Sequence, residues 1–463
     1  MKMLLFSFFF ALGGLFVGQS VLAQMPSEAA FNIITYDPFG FRVDDTAQGQ
    51  RVRRLLLKMQ ALGANTVIFN FRARMVTGTK ADIRSDVLPE YQSEEERLLK
   101  DAVAFAKQRG LAVAFRPILL VVGPNAEFPY VDENGFTWWH GNIRPEKPEE
   151  WFQAYFNYHQ RYMRIAHDVG AKWYSIGAEM HSMTSGLGSR DMTWRFGYPQ
   201  LWVQFVSKAR TILGDNVQIT YGANYTDQYV LEDGIKTWGG EFGQWYHDLT
   251  FIPKTDEETN HQENLRQFYH SLDFIGLDFY RALGSANVDY PAEYQALVTQ
   301  LNDYSFTYAQ TLNGMVSDID RQLGTISQIA IQEVGYRSVE KCFVAPYLYE
   351  DDHTPINYEH QAAAWDSLLS AFWSQPLSWM RGIGIWQVLL DDNSDETVNG
   401  GFSPLGKEPA ELVLKKYFIG HATRTNFVPA RFVPDLQNQE LQQFLFQHRP
   451  LMPDFAPSQG DRF

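Results

Sequence analysis

The chain has 463 residues, 45% of them hydrophobic and 15% aromatic, a formal charge of −15 and a single cysteine, Cys342. Such an acidic balance excludes unaided binding to nucleic acid or to an anionic membrane surface. One thiol excludes an intramolecular disulfide, so the core must supply the stability.

Read from the N-terminus, Lys2 precedes an apolar run from Met3 to Val17 and then Val21-Leu22-Ala23, small residues at cleavage-type spacing. This predicts a secretory signal peptide over residues 1–23, because the run is short for a membrane span. The mature chain is expected to be secreted or periplasmic, with no membrane association beyond export; a retained N-terminal anchor is the alternative.

Eight short apolar segments, rich in β-branched and aromatic residues, then read as strands: Phe31–Tyr36, Thr66–Phe71, Leu111–Pro117, Trp173–Ile176, Val217–Tyr221, Phe274–Phe279, Ile329–Gln332 and Ile383–Val388. Helices fall between them. Val52, Leu55, Leu56, Met59 and Leu62 share one helical face; Ser93 and Glu96 have the spacing of a capping box; residues 150–169 and 198–213 form two more, the second stopped by Gly214. Trp365, Leu368, Leu369 and Phe372 mark the helix before the last strand. Near-continuous apolar strands suit a parallel sheet covered on both faces. With no Gly-rich phosphate loop after the first strand, the alternation favours a closed (β/α)8 TIM barrel, spanning residues 24–420, over a doubly wound sheet. Residues 421–463, with Pro429, Pro434, Pro450, Pro453 and Pro457, read as an extended C-terminal tail.

Three strand-to-helix connections are long: 121–149, 224–261 and 389–407. In a barrel these rise from the catalytic face, where loops of such length are usually functional. They carry Trp138, Trp139 and His140 in the first and Trp238, Trp245 and Tyr246 in the second. Such rings could wall a cleft for a chain of sugars or could cover small hydrophobic clusters of their own.

Two strand segments end in glutamate, Lys172–Glu179 and Gln328–Glu333. Counted along the chain they close strands four and seven, which face each other across a barrel mouth. Carboxylates there are costly to bury without partners, and a facing pair is the equipment for cleaving a glycosidic bond by double displacement. Asp278, near the end of strand six, is a neighbour able to raise one of their pKa values.

The chain resembles clan A glycoside hydrolases, and within them Glycoside Hydrolase Family 113, the β-mannanase family. The stretches that carry the likeness are Trp139-His140-Gly141-Asn142-Ile143, Trp151-Phe152, Ser175-Ile176-Gly177-Ala178-Glu179-Met180, Thr220-Tyr221-Gly222-Ala223-Asn224-Tyr225, Asp273 to Tyr280 and Gln332-Glu333-Val334-Gly335-Tyr336. The resemblance runs from about residue 31 to 420. It implies that Glu179 is the acid/base and Glu333 the nucleophile, that Tyr280 hydrogen-bonds the nucleophile, and that Trp386 is the platform beneath the sugar in the cleaved subsite. Clan members commonly have Asn before the acid/base, bound to the sugar 2-hydroxyl; here that position is Ala178, and Asn224 or Asn142 could supply the contact. Arg72 and Arg74 follow strand two on one face, and Arg72, nearer the strand, is expected to orient a catalytic glutamate.

No cofactor is expected. The 11 His show no HExxH or HxH spacing, and His140 and His181 suit hydrogen bonding better than coordination. The acidic run Asp391–Glu396 could hold Ca²⁺ but reads more readily as a solvated loop. The expected partner is an oligo- or polysaccharide. The reading is a retaining glycoside hydrolase on β-1,4-mannan or a related hemicellulose; another β-glycan or exopolysaccharide, or a non-catalytic saccharide-binding barrel, are the alternatives.

Overall fold

The computed structural model describes residues 26–125, 130–188, 194–226, 239–348 and 353–420. The expected signal peptide, the expected tail and Trp238 lie outside the described residues.

Eight parallel strands close on themselves: β1 (Glu28–Ile34), β2 (Thr66–Met75), β3 (Ala112–Val121), β4 (Trp173–Ala178), β5 (Gln218–Thr226), β6 (Phe274–Tyr280), β7 (Ile329–Val334) and β8 (Met380–Leu389). Each pairs with the next, and β8 pairs with β1 to shut the barrel. The expected (β/α)8 barrel is therefore the fold. All eight predicted strand segments fall within or beside an observed strand, and most observed strands run further.

The barrel interior is layered by the two-residue period of the strands. At the bottom, Ala30, Ile68, Ala114, Trp173, Phe274 and Ala330 form one apolar cluster, small residues filling between large ones. Two residues up on four of these strands stand Asn32, Asn70, Arg116 and Gln332, all buried. These buried polar groups are joined: Asn70 Nδ2 donates to Asn32 Oδ1 (3.1 Å), Arg116 Nη1 to Asn70 Oδ1 (3.3 Å), and Gln332 Nε2 to the Thr220 hydroxyl (3.0 Å). Gly276 makes room for this layer, since a Cβ there would lie 2.3 Å from the Gln332 side chain. The mouth lies above it.

Outside, the main core packs the strands against α1 (Ala47–Ala61), α2 (Gln92–Gln108), α3 (Pro148–Val169), α4 (Pro199–Leu213), α5 (Gly240–Thr250), α6 (Asp256–Ser271), α7 (Tyr294–Leu323), α8 (Tyr358–Phe372) and α9 (Glu408–Phe418). Each large apolar side chain fully buried there contributes about 1.5–3 kcal/mol. Thr46 and Asn357 cap α1 and α8 with their side chains, and Gly170 in the left-handed region ends α3.

Two expectations need correction. Ser93 and Glu96 form no capping box, because a 3-10 turn at Pro89–Tyr91 leads into α2 two residues earlier, at Gln92, and Ser93 lies inside the helix. The connection after β5 is not a long loop throughout: it contains α5 and the start of α6, where Thr255 and Glu258 form a true capping box. Trp245 accordingly belongs to the core, fully buried, its indole N–H on the Thr184 hydroxyl (3.1 Å). Tyr246 is partly buried and reaches Asp318 on α7 (3.1 Å), so neither ring is an open wall of the mouth.

Candidate active site

One guanidinium organises one side of the mouth. Arg116, on β3 and 1% exposed, places Nη2 2.5 Å from Asp278 Oδ2 and Nη1 2.6 Å from Glu333 Oε2. Two strands therefore present their carboxylates to the fork of a third, and Asp278 and Glu333 are register partners on β6 and β7. The Tyr280 hydroxyl donates to the other oxygen of Glu333 at 2.6 Å. Burial raises the pKa of Glu333; Arg116 opposes this, Glu179 adds to it, Tyr280 opposes it, and the net shift is upward. Asp278, wholly buried, is raised well above the ordinary range by desolvation, against Arg116 and with help from Glu333 and Glu179. Arg116 is thus shared between two buried carboxyls, and desolvation leaves both pKa values raised in spite of it.

Glu179 follows β4 directly and has a φ of 53°, the left-handed region. That conformation costs a residue with a Cβ about 1–2 kcal/mol. Two contacts fix the turn: the Glu179 N–H donates to Gly222 O (2.7 Å), and the next N–H, of Met180, donates to the Tyr221 hydroxyl (2.8 Å). Its carboxyl lies between two side chains, with Asn224 Nδ2 2.5 Å from Oε1 and His140 Nε2 3.1 Å from Oε2. Burial works against ionisation here too, but the His140 and Asn224 contacts and Arg116 outweigh it, and the Glu179 pKa lies below the ordinary carboxylate value. Glu179 also acts on Glu333 and Asp278 through their electrostatics, so all three carboxyls share one mouth.

The sequence-predicted residues divide as follows. Glu179, Glu333, Asp278, Tyr280 and Asn224 come together as described. Trp386, on β8, packs with Ile34, Tyr280 and Phe402, its ring 5.9 Å from the Arg116 guanidinium. Trp139 stands half-buried beside His140, ring centroids 4.9 Å apart. Arg72 does not orient a glutamate of the mouth. It pairs with Asp86 (2.8 Å), donates to Tyr36 O (3.0 Å) and stacks on the Tyr36 ring; Arg74 joins the same Asp86, so the two arginines do share a face. Asn142 is likewise spent on its own loop: Oδ1 accepts the Trp139 N–H (3.0 Å) and Nδ2 donates to Thr137 O (3.0 Å). Of the two asparagines offered for the position of Ala178, only Asn224 contacts Glu179.

Arg116 is the residue that sequence reasoning missed. The signal was present: a charge inside the apolar run Ala112–Val121 must find a buried partner, and Asp278 sits in an equally apolar strand. Among the described residues no group of three or more His, Cys, Asp or Glu could hold a metal ion. Within the acidic run, Asp395 pairs with Arg54 (3.1 Å) and Lys58 (2.7 Å), and Asp391 accepts the Tyr36 N–H (2.5 Å).

Chemically, the mouth offers one carboxylate held by a cation and a phenol, and a second held by an amide and an imidazole, in a shared buried setting. That arrangement suits nucleophilic attack by one and proton transfer by the other. The model of Glycoside Hydrolase Family 113 matches residues 34–201, a stretch that includes Arg116, His140 and Glu179, and the resemblance read from the sequence holds there. Among solved structures the chain is similar to a Family 113 β-mannanase from Alicyclobacillus acidocaldarius in complex with ManMIm (TM-score 0.57, 16% identity, 86% of this chain and 99% of that one). It is also similar to a Family 113 β-1,4-mannanase (TM-score 0.54, 18% identity, 85% of this chain and 99% of that one). No curated relative matches the chain. At these identities the structural likeness speaks for the fold.

Proposed function

We propose that this chain, similar over residues 34–201 to Glycoside Hydrolase Family 113, is a retaining glycoside hydrolase that cleaves β-1,4-mannan or a related β-linked hemicellulose. It is a β-glycosidase of the endo-β-mannanase-like kind, with Glu333 as nucleophile and Glu179 as acid/base. The single observation that carries this reading is the unequal seating of the two glutamates: Glu333 on Arg116 and Tyr280, Glu179 between Asn224 and His140.

In the first step an oxygen of Glu333 attacks the anomeric carbon while Glu179 gives its proton to the glycosidic oxygen. The C–O bond breaks, the leaving sugar departs as an alcohol, and the remaining sugar is an ester of Glu333. In the second step Glu179, now a carboxylate, takes a proton from water; the water oxygen attacks the same carbon and Glu333 is released. Arg116 and Tyr280 favour the ionised nucleophile by direct contact, and Asp278 holds the other arm of the same guanidinium. The contacts to Glu179 favour its ionised form, the one the second step uses. A sugar seated over it displaces water, weakens that preference and supports the proton the first step requires.

The test is release of reducing ends from a panel of β-linked polysaccharides, mannan included, by the parent and by Glu333→Ala. Cleavage of mannan by the parent alone is the expected result. Equal activity in both would remove Glu333 as nucleophile. A folded parent silent on the whole panel would favour a saccharide-binding barrel.

A further inference from the structure

The mechanism above leaves one buried carboxyl beside the mouth unused. Glu241, in the first turn of α5, is fully buried. The hydroxyls of Thr184 and Tyr221 (2.8 Å) both donate to its Oε1, and the backbone N–H of Asn224 donates to Oε2 (3.2 Å).

Two of these partners lead straight to Glu179. The Tyr221 hydroxyl, while donating to Glu241, accepts the Met180 N–H that fixes the left-handed turn at Glu179. Asn224, held at its backbone by Glu241, gives its side-chain N–H to Glu179 Oε1. The same helical turn closes on Asn224 from behind: Gly240 has a φ of 62°, and a Cβ there would lie 2.2 Å from Asn224 Oδ1. The third partner, Thr184, is itself anchored by the Trp245 indole one helical turn further along α5. Three elements (the end of β4 with residues 181–184, β5 and α5) thus meet at one carboxyl.

We propose that Glu241 is a positioning residue for the acid/base: it clamps, from a single buried point, the backbone turn that carries Glu179 and the Asn224 amide that orients its carboxyl. This rests on the reading of Glu179 as acid/base given above. Desolvation lifts the Glu241 pKa to about 8 against its three hydrogen bonds, and the charge of Glu179 adds to the rise. Of the groups named around it only Glu179 is charged, so a neutral Glu241 spares the site a second anion next to the first.

The test uses Glu241→Gln, which keeps the volume and the acceptor for both hydroxyls but turns an N–H toward the Asn224 N–H. Tyr221→Phe cuts the other arm and leaves Glu241 in place. On a polysaccharide, whose leaving group needs a proton, kcat is expected to fall about tenfold or more in Glu241→Gln with KM changed less than twofold. On an aryl β-glycoside with a nitrophenol leaving group, which departs without protonation, the rate of the first step should hold within about twofold. A loss of folding or of the whole site would lower both rates alike, and that outcome overturns the proposal. A Glu241→Gln variant indistinguishable from an active parent on polysaccharide also overturns it. Combining Glu241→Gln with Asn224→Ala should lower kcat little beyond Asn224→Ala alone, since the clamp acts through Asn224; independent, multiplying losses contradict it. A crystal structure of Glu241→Gln should show the Asn224–Glu179 contact broken, and an unmoved contact refutes the clamp whatever the substrate. A parent inactive on every β-glycan while the contact does break overturns the functional reading instead.

Discussion

Arg116 and Asp278 form an ion pair at 2.5 Å between two side chains that are 1% and 0% exposed, at the level of the barrel where Arg116 also meets Glu333. The pair is less a source of stability than a device that fixes where a cation stands. Taking both charges from water is costly, and only excellent geometry recovers it.

Arg116→Lys is therefore not conservative. A lysine ammonium cannot span two carboxylates as the planar fork does. We expect kcat/KM to fall by about 10²–10³, the usual loss when a preorganised donor is removed. Arg116→Met leaves Glu333 and Asp278 without their cation and should in addition destabilise the fold by about 3–5 kcal/mol, read from urea unfolding.

His140→Ala bears on proton transfer. His140 holds the Glu179 pKa down, so its removal raises that value. Glu179 then keeps its proton to higher pH, and the lower of the two apparent pKa values of the kcat/KM profile, the one Glu179 sets while it lies below Glu333, moves upward. A limb that stays in place would separate His140 from Glu179.

Tyr280→Phe acts on the other limb. The hydroxyl lowers the Glu333 pKa, against the burial that raises it. Without it Glu333 holds its proton to higher pH, so the higher apparent pKa of kcat/KM, the one Glu333 sets, moves upward while the lower one stays. Steady-state rates across pH on one substrate read both.

Stability should carry the mark of Glu241. Its folded pKa, about 8, lies above the ordinary glutamate value of about 4.3, so the folded chain holds a proton that the unfolded chain releases. Stability from this group is complete at low pH and declines as pH rises through that window. Asp278 and Glu333, also raised, act in the same direction, and Glu179, lowered, acts oppositely. Unfolding free energies of the parent and Glu241→Gln between pH 5 and 8 should show a shallower decline in the variant.

The sequence made the barrel legible because its strands are buried on both faces and read as apolar runs, and because each catalytic candidate closes such a run. Glu179 and Glu333 could be found for that reason. Arg116 could not be found by the same rule, since it sits inside its strand, not at the end, and its meaning depends on Asp278, 162 residues away. Arg72 and Arg74 were rightly placed on one face by strand alternation, but alternation does not say which acid waits there, and Asp86 does. Helix α5 opens on Gly239-Gly240, which reads as loop, so its Trp245 passed for a cleft residue and Glu241 drew no notice. Asn142 and Asn224 are alike as residue types; only the fold shows that one caps its own turn and the other faces Glu179.

The measurement that tests the central claim most directly is proton NMR of the anomeric signals as the parent cleaves a β-1,4-mannooligosaccharide. Double displacement through Glu333 predicts that the β-anomer of the new reducing end appears first and the α-anomer follows only by mutarotation. First appearance of the α-anomer would mean single displacement by water and would contradict the assignment of Glu333 as a nucleophile.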